Sequence, residues 1–414
     1  MAQGSKTGKT VIVVGGGAAG LVACGHLAER GFRVVLIEKN AKMGRKLRIT
    51  GKGRCNITNA ADIEDFFLQI PTHPKFLYSA LYTFTNEDMV RLMQRLGVKT
   101  KTERGGRVFP ESDRAQDVVD ALVRYAKSGD VKILHAQVQK LLLKEHRAIG
   151  VKTDAGDVLA DAVVLATGGC SYPLTGSNGD GYRIAGAVGH TVVPPRPSLI
   201  PLVIQEDWVK ELMGLALKNV SLCILDAKNK KIYEDFGEML FTHFGVSGPI
   251  VLSASAHMQD PAKQKYILEI DLKPALTDKQ LDTRLIREFE ANAKKHLVNV
   301  LDSLLPKTLI PVIISLWGQP IHKEAGGVTR QERLELVSLL KHLQLHPCAF
   351  RPIEEAIITS GGIATKEINP STMESKLVQG LYFAGEMIDV DAYTGGYNLQ
   401  IAFSTGYLAA ESIE

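Results

Sequence analysis

Five residues of strand character, Thr10 to Val14, run straight into three glycines, Gly15 to Gly17, and no other feature constrains the chain as strongly. Ala18 to Arg30 then carries Leu21, Cys24, Leu27 and Ala28 at the spacing of one helix face, with Gly31 at the stop position. Phe32 to Glu38, FRVVLIE, is apolar and β-branched, as a strand covered on both sides must be. Strand, glycine turn, helix and strand within roughly 30 residues make a βαβ unit, which commits this end of the chain to a parallel sheet.

The glycines have a specific spacing. Gly15-Gly16-Gly17-Ala18-Ala19-Gly20 reads as GxGxxG. In that pattern the first glycine permits the tight turn and the second lets backbone approach a pyrophosphate. The third lets helix and strand pack closely, and the helix N-terminus offers N–H groups to the phosphate charge. Glu38 closes the second strand 18 residues after Gly20, where a carboxylate can take ribose hydroxyls. Dinucleotide binding is the expectation. The run from Gly4 to Thr10, GSKTGKT, resembles a phosphate-binding P-loop but has three residues between its glycines and follows no strand, so it is rejected as one.

At 414 residues the chain exceeds one compact core, and its 45% hydrophobic and 23% charged residues fit an ordinary globular protein. The net charge of +4 permits an anionic substrate without requiring nucleic acid. Cys24, Cys55, Cys170, Cys223 and Cys348 are odd in number and scattered, never as CxxC, which fits neither a disulfide framework nor a zinc site; no metal is expected. The N-terminus has no apolar signal region and no run approaches the roughly 20 residues that span a bilayer, so a cytoplasmic location without membrane contact is expected.

Further along, residues 62–100 carry helical spacing, Asp113 precedes another helix with Gln116 placed for a capping box, and residues 131–164 read as strands with a turn at Asp154 to Gly156. Pro194, Pro195, Pro197 and Pro201 mark a domain boundary. The predicted organisation is a discontinuous nucleotide-binding domain, 1–191 with 354–414, interrupted by an insert over 192–353 that is mainly β to 275 and mainly helical over 276–346. Leu381 to Ala384 should return to the first sheet as a strand, and Gly396 to Ile413 should form the last helix.

Lys39 to Asn59, KNAKMGRKLRITGKGRCNITN, holds seven basic residues and no acid, with glycines at 44, 51 and 53 that predict a loop. Its cations are placed to neutralise a pyrophosphate and an anionic reduced flavin, which favours FAD over NAD as the bound dinucleotide.

GRKLRITGKGRCNITN (44–59), GRVFPESDRAQDVVDAL (106–122), ATGGCSYPLTGSNGDGYRIA (166–185), GEMLFTHFGVSGP (237–249) and the run from Ile358 to Gly406 resemble the bacterial FAD-dependent flavoproteins that include aminoacetone oxidase, a bile-acid alkene reductase and enzymes reducing a uridine of large-subunit ribosomal RNA. The resemblance implies an α/β fold: a Rossmann-like FAD-binding domain of the two-dinucleotide-binding flavoprotein type with an inserted β-rich and helical domain. It implies that Gly15, Gly17, Ala18, Ala19 and Gly20 meet the FAD pyrophosphate and Glu38 the adenosine ribose. Lys39, Arg45, Lys46, Gly53, Arg54 and Asn56 would lie near the flavin, and the Val138 backbone would touch adenine. Thr167, Gly168 and Gly169 would form a second fingerprint. Gly385 with Glu386 or Asp389 would meet the ribityl chain, the choice staying open because many such flavoproteins have Gly-Asp where this chain has Gly385-Glu386. Gly396, Asn398 and Leu399 begin a helix whose N-terminus would face the pyrimidine end of the ring and stabilise its charge by up to about 1–2 kcal/mol.

No second strand–GxGxxG–helix is present, so a nicotinamide donor, NAD(P)H, would share the open face of the flavin with the substrate. Saturating a carbon–carbon double bond needs hydride and a proton. Cys55, beside Arg54, and His243, in FTHFG, are the candidate proton donors, the alternative roles being buried packing for Cys55 and a hydrogen bond within the insert for His243. Three activities remain open: reduction of an activated alkene on a small molecule, dihydrouridine synthesis on 23S ribosomal RNA with segment 39–54 contacting phosphates, and oxygen-dependent amine oxidation.

Overall fold

A computed structural model describes residues 8–414; the greater part of the GSKTGKT run, Gly4 to Thr7, lies outside them. The described chain divides into two compact units, one holding everything up to Ser198 together with Ile353–Glu414, the other Leu199–Pro352.

The first unit is built on a five-stranded parallel sheet: β1 (Thr10–Val14), β2 (Arg33–Ile37), β3 (Val131–Leu134), β4 (Ala162–Leu165) and β5 (Leu381–Phe383), in the order β5-β4-β1-β2-β3. Val11, at the centre, pairs with Val34 on one side and Ala162 on the other. The order reverses beside β1, and in open parallel sheets a ligand sits at such a switch point, outside the carboxyl ends of the strands. β1 ends there in the glycine turn.

The helix after that turn, Ala18–Glu29, is buried along every residue from Ala19 to Leu27, not on one face alone. Two helices cover it: the C-terminal helix, Tyr397–Ser412, and Ala115–Ala126, whose Tyr125 ring a Cβ on Gly25 would meet at 2.3 Å. His26 Nε2 lies 2.6 Å from Glu411 Oε2, and Arg30 donates to the Ala410 carbonyl. A Cβ on Gly406 would meet the Ala19 carbonyl oxygen at 2.4 Å, so only glycine permits this approach. The two ends of the chain are thereby held together over the ligand-binding edge of the sheet.

Residues 192–198 belong to this unit and not to the insert, because Val192–Ser198 pairs antiparallel with Ile358–Ile363 despite its prolines. A two-stranded edge ladder accommodates the prolines where a central strand would not.

In the second unit a seven-stranded antiparallel sheet, from Leu202–Ile204 to Pro347–Phe350 in sequence, is accompanied by the helices Asp278–Ala291, Leu297–Val300, Ile310–Leu316 and Arg330–Lys341. Thr277 with Gln280 and Thr329 with Glu332 form reciprocal capping boxes that start two of them. Among the described residues no helix is long and apolar enough to cross a membrane.

Candidate flavin site

Gly15 adopts φ +104°, and a Cβ there would lie 2.5 Å from the Ala166 carbonyl oxygen. Its N–H donates to the Ile37 carbonyl at 2.8 Å, which ties the turn to β2. Gly17, by contrast, has nothing within 4 Å of where its Cβ would be, so the second glycine of the pattern borders open space. No side chain caps the helix that begins at Ala18, and its first turn has no acid. Open space, free N–H groups and an uncompensated dipole fit a pyrophosphate.

Glu38 is 8% exposed, its Oε2 accepting from the Gly16 N–H at 2.8 Å and its Oε1 from the Asn40 N–H and Nδ2, each at 2.7 Å. The carboxylate is thus fixed at the carboxyl end of β2, the position for a ribose. A strap closes over this end. Lys39 Nζ donates to Asn178 at 2.7 Å and Asp180 at 2.8 Å, Asn40 Nδ2 reaches the Thr175 carbonyl at 3.2 Å, and Arg45 Nη1 donates to Asn40 Oδ1 at 2.8 Å. Val138 is buried and opens an antiparallel hairpin in register with Thr153.

The basic segment is a short helix, Arg45–Gly53, broken at Thr50 to Lys52, where a loop was expected. Its cations are largely committed within the protein. Lys46 Nζ lies 2.5 Å from both Ser171 Oγ and Glu386 Oε2, while Glu386 Oε1 accepts from the Thr359 N–H at 2.9 Å and from Ser171 Oγ at 3.0 Å. Glu386 therefore joins three chain segments. Arg54 pairs with Glu103 and with Asp113 at 2.6 Å and lies 4.1 Å over the Phe109 ring. The same pair explains why Asp113 caps no helix: its carboxylate also receives Lys101 at 2.6 Å, and Arg114 occupies the cap position. Lys42, Arg48 and Lys52 make no ion pair or side-chain hydrogen bond among the described residues. Gly53 is exposed with nothing near it, and Asn56 Oδ1 is buried without a partner.

Cys55 does not serve as a proton donor in this geometry. Its side chain is 0% exposed, and burial pushes the thiol up to about 12 against a smaller opposing effect of its hydrogen bond with Thr50. A thiol sealed in the core meets no substrate; the basic neighbours that were to tune it point elsewhere. His243 is exposed at the turn between the strands Lys231–Thr242 and Gly245–Ser247 of the second unit, edge-on to Phe244 at 4.9 Å. Phe244 is itself held beneath the Arg351 guanidinium at 4.5 Å.

At the second fingerprint Thr167 Oγ1 lies 3.8 Å from Met387 Sδ, Gly168 has φ +76°, and a Cβ on Gly169 would strike Thr359 Oγ1 at 2.5 Å. Gly385 donates to Thr405 Oγ1 at 2.9 Å. Asp389 is 6% exposed and pairs with His73 Nε2 at 3.2 Å, a partner that no local pattern announces. Gly396, at φ +105°, starts the C-terminal helix, which no side chain caps. Asn398 grips the preceding segment, accepting from the Ala392 N–H at 2.9 Å and donating to the Ala392 carbonyl at 2.6 Å; Leu399 is partly buried beside it. Two uncapped helix N-termini, one from each end of the chain, fit the two negative regions of FAD, its pyrophosphate and the pyrimidine edge of its reduced ring.

Ser171, Thr359, Asn40, Asp180 and His73 were not anticipated. Lys46 and Glu386 are 340 residues apart in sequence, a separation no motif spans.

This fold and site define an FAD-dependent oxidoreductase. Residues 9–412 match the model of the HI0933-like protein Rossmann domain, and the chain belongs to that family. It is 33% identical over 402 residues to the ribosomal RNA dihydrouridine synthase of Escherichia coli strain K12, covering 97% of each chain. It is 30% identical over 407 residues to the 3-dehydro-bile acid delta(4,6)-reductase of Clostridium scindens, covering 97% of this chain and 98% of that one. Among solved structures the open conformation of a flavocytochrome c3 fumarate reductase superposes with a TM-score of 0.52 at 16% identity, over 99% of this chain and 78% of that chain, a likeness of fold.

Proposed function

We propose that the protein is an NAD(P)H-linked reductase that saturates a carbon–carbon double bond conjugated to a carbonyl, and that its substrate is a uridine of 23S ribosomal RNA. The observation that carries this reading is the end-to-end similarity to a ribosomal RNA dihydrouridine synthase. The 5,6-double bond of uracil is conjugated to the 4-carbonyl, so it accepts hydride at one carbon and a proton at the other. Bound flavin supplies the hydride transfer, and a nicotinamide donor, lacking a second dinucleotide domain among the described residues, takes the substrate's place in alternate turns.

The chain's own residues hold the cofactor at Gly15 to Gly20, Glu38 and the start of the C-terminal helix. Lys42 and Lys52, both exposed, remain available for RNA phosphates, whereas Lys39 and Lys46 hold the site together. The bile-acid reductase, at 30% identity, supports a second reading in which the conjugated double bond belongs to a small molecule.

Mass spectrometry of ribosomal RNA from a deletion strain tests the substrate. Loss of a dihydrouridine, restored by the wild-type gene, is expected; an unchanged modification profile overturns the RNA reading. Anaerobic bleaching of the yellow protein by NADPH or NADH is expected, whereas bleaching by an amine alone would mark an amine oxidase instead.

A further inference from the structure

The second unit carries a groove of about 190 Å³ lined by residues of the Ala216–Asp226 strand, by Leu272 and Lys273, and by Leu305, Pro306 and Leu309. Its polar lining is Lys218, Asn219 and Lys273, and no carboxylate is among the lining residues. Lys273 is half-buried, and its ammonium has no ion pair or hydrogen bond among the described residues. The carboxylate nearest in sequence, Asp271, is already used: its Oδ2 holds Lys341 Nζ at 2.6 Å, and Lys341 is further bound by the Leu276 carbonyl at 2.6 Å. Arg284, anchored on the Ser303 carbonyl at 3.2 Å, adds a second positive charge. Burial first, and then the charge of Arg284, push the Lys273 ammonium below the ordinary lysine range. A cation held partly out of water without a counter-ion is destabilising until an anion reaches it.

We propose that this groove binds one nucleotide of single-stranded RNA, its phosphate on Lys218 and Lys273 and its base against the exposed ring of Pro306. The inference rests on the ribosomal RNA reading above. Charge selects an anion, and the exposed Pro306 ring offers an apolar surface to a flat body attached to it; a free phosphate would leave that ring in water. A nucleotide supplies both parts at adjacent positions. Asn219 adds an amide that can serve as donor or acceptor to a base edge. A carboxylated sterol shares this chemistry and is distinguished by the test.

The test uses the FAD-loaded full chain and a fluorescent single-stranded RNA of about 12 nucleotides, with binding followed by anisotropy across a salt series. Lys218→Met with Lys273→Met should weaken binding about tenfold and reduce the slope of log affinity against log salt by about 0.7 for each phosphate no longer neutralised. FAD content and unfolding temperature should match the wild type. Affinity and slope equal to the wild type overturn the proposal, as does a wild-type protein that does not bind the RNA. Protection of Lys273 from an acylating reagent by cholate but not by RNA also overturns it, in favour of a sterol site. The deletion-strain experiment reports the underlying reading separately. Dihydrouridine that persists without the gene removes the function; dihydrouridine lost there, with RNA binding indifferent to both lysines, removes the groove alone.

Discussion

Gly20 lies directly beneath Gly15, so that a Cβ on Gly20 would stand 1.9 Å from the Gly15 carbonyl oxygen. The obstructing atom is backbone in the turn that receives the pyrophosphate, and it cannot move without moving the turn. Gly20→Ala is expected to cost about 1–3 kcal/mol. It should also release FAD on desalting. Unfolding temperature and flavin absorbance of the purified variant check both effects together.

Gly17 separates folding from binding. Its φ of −86° suits any residue and nothing in the protein would touch the added methyl group. Gly17→Ala should therefore melt like the wild type as apoprotein, yet bind FAD at least about tenfold more weakly, roughly 1.4 kcal/mol, because the methyl group occupies the approach of the pyrophosphate. Unaltered affinity by fluorescence quenching would place the phosphates elsewhere.

Lys46 and Glu386 are 21% and 14% exposed, so each shields the other's charge from a partly dry surrounding. Removing one partner leaves the other unpaired, which in fully buried pairs costs about 3–5 kcal/mol and here less, about 1–3 kcal/mol after allowance for solvent. Lys46→Met and Glu386→Gln should each lower stability and FAD affinity. The double variant should lose less than the sum of the two, and a thermodynamic cycle on denaturant unfolding measures the difference. Strict additivity would show that the pair is not coupled.

The strap over Glu38 depends on pH through Asp180. Burial acts to raise its carboxyl, but the hydrogen bond and charge of Lys39, with Asn178 and Gln137, outweigh it and hold the group below the ordinary aspartate range. A carboxyl depressed in the folded state contributes fully above its unfolded value of about 3.9 and loses that contribution as pH falls through the folded value. FAD release from the wild type should therefore accelerate only in acid. Asp180→Asn should show faster release already at neutral pH, measured by stopped-flow fluorescence; identical rates would remove the strap from cofactor retention.

Cys24 and Cys55 are both fully buried, and burial pushes both thiols up to about 12. Neither should be alkylated by iodoacetamide at pH 8 in the native protein, while both should react after unfolding. Peptide mass mapping decides it. Rapid native labelling of Cys55 would reopen its role as a proton donor.

The sequence by itself determined the glycine turn, the carboxylate that follows β2 and the uncapped helix at the far end of the chain. Those features are local: turn geometry, strand burial and helix starts depend on neighbours within a few residues, and the residues that satisfy them are few in kind. Tertiary structure alone decided which charges were free. Arg54 and Cys55 sit side by side in a basic stretch, yet one is drawn to Glu103 and Asp113 and the other is sealed in the core. Glu386 reads as a cofactor contact and is found joining Lys46, Ser171 and Thr359. Partners of this kind come from segments 27 to 340 residues apart, and an ion pair or a buried thiol is set by what folding brings within about 4 Å, a distance that carries no trace in the order of the chain.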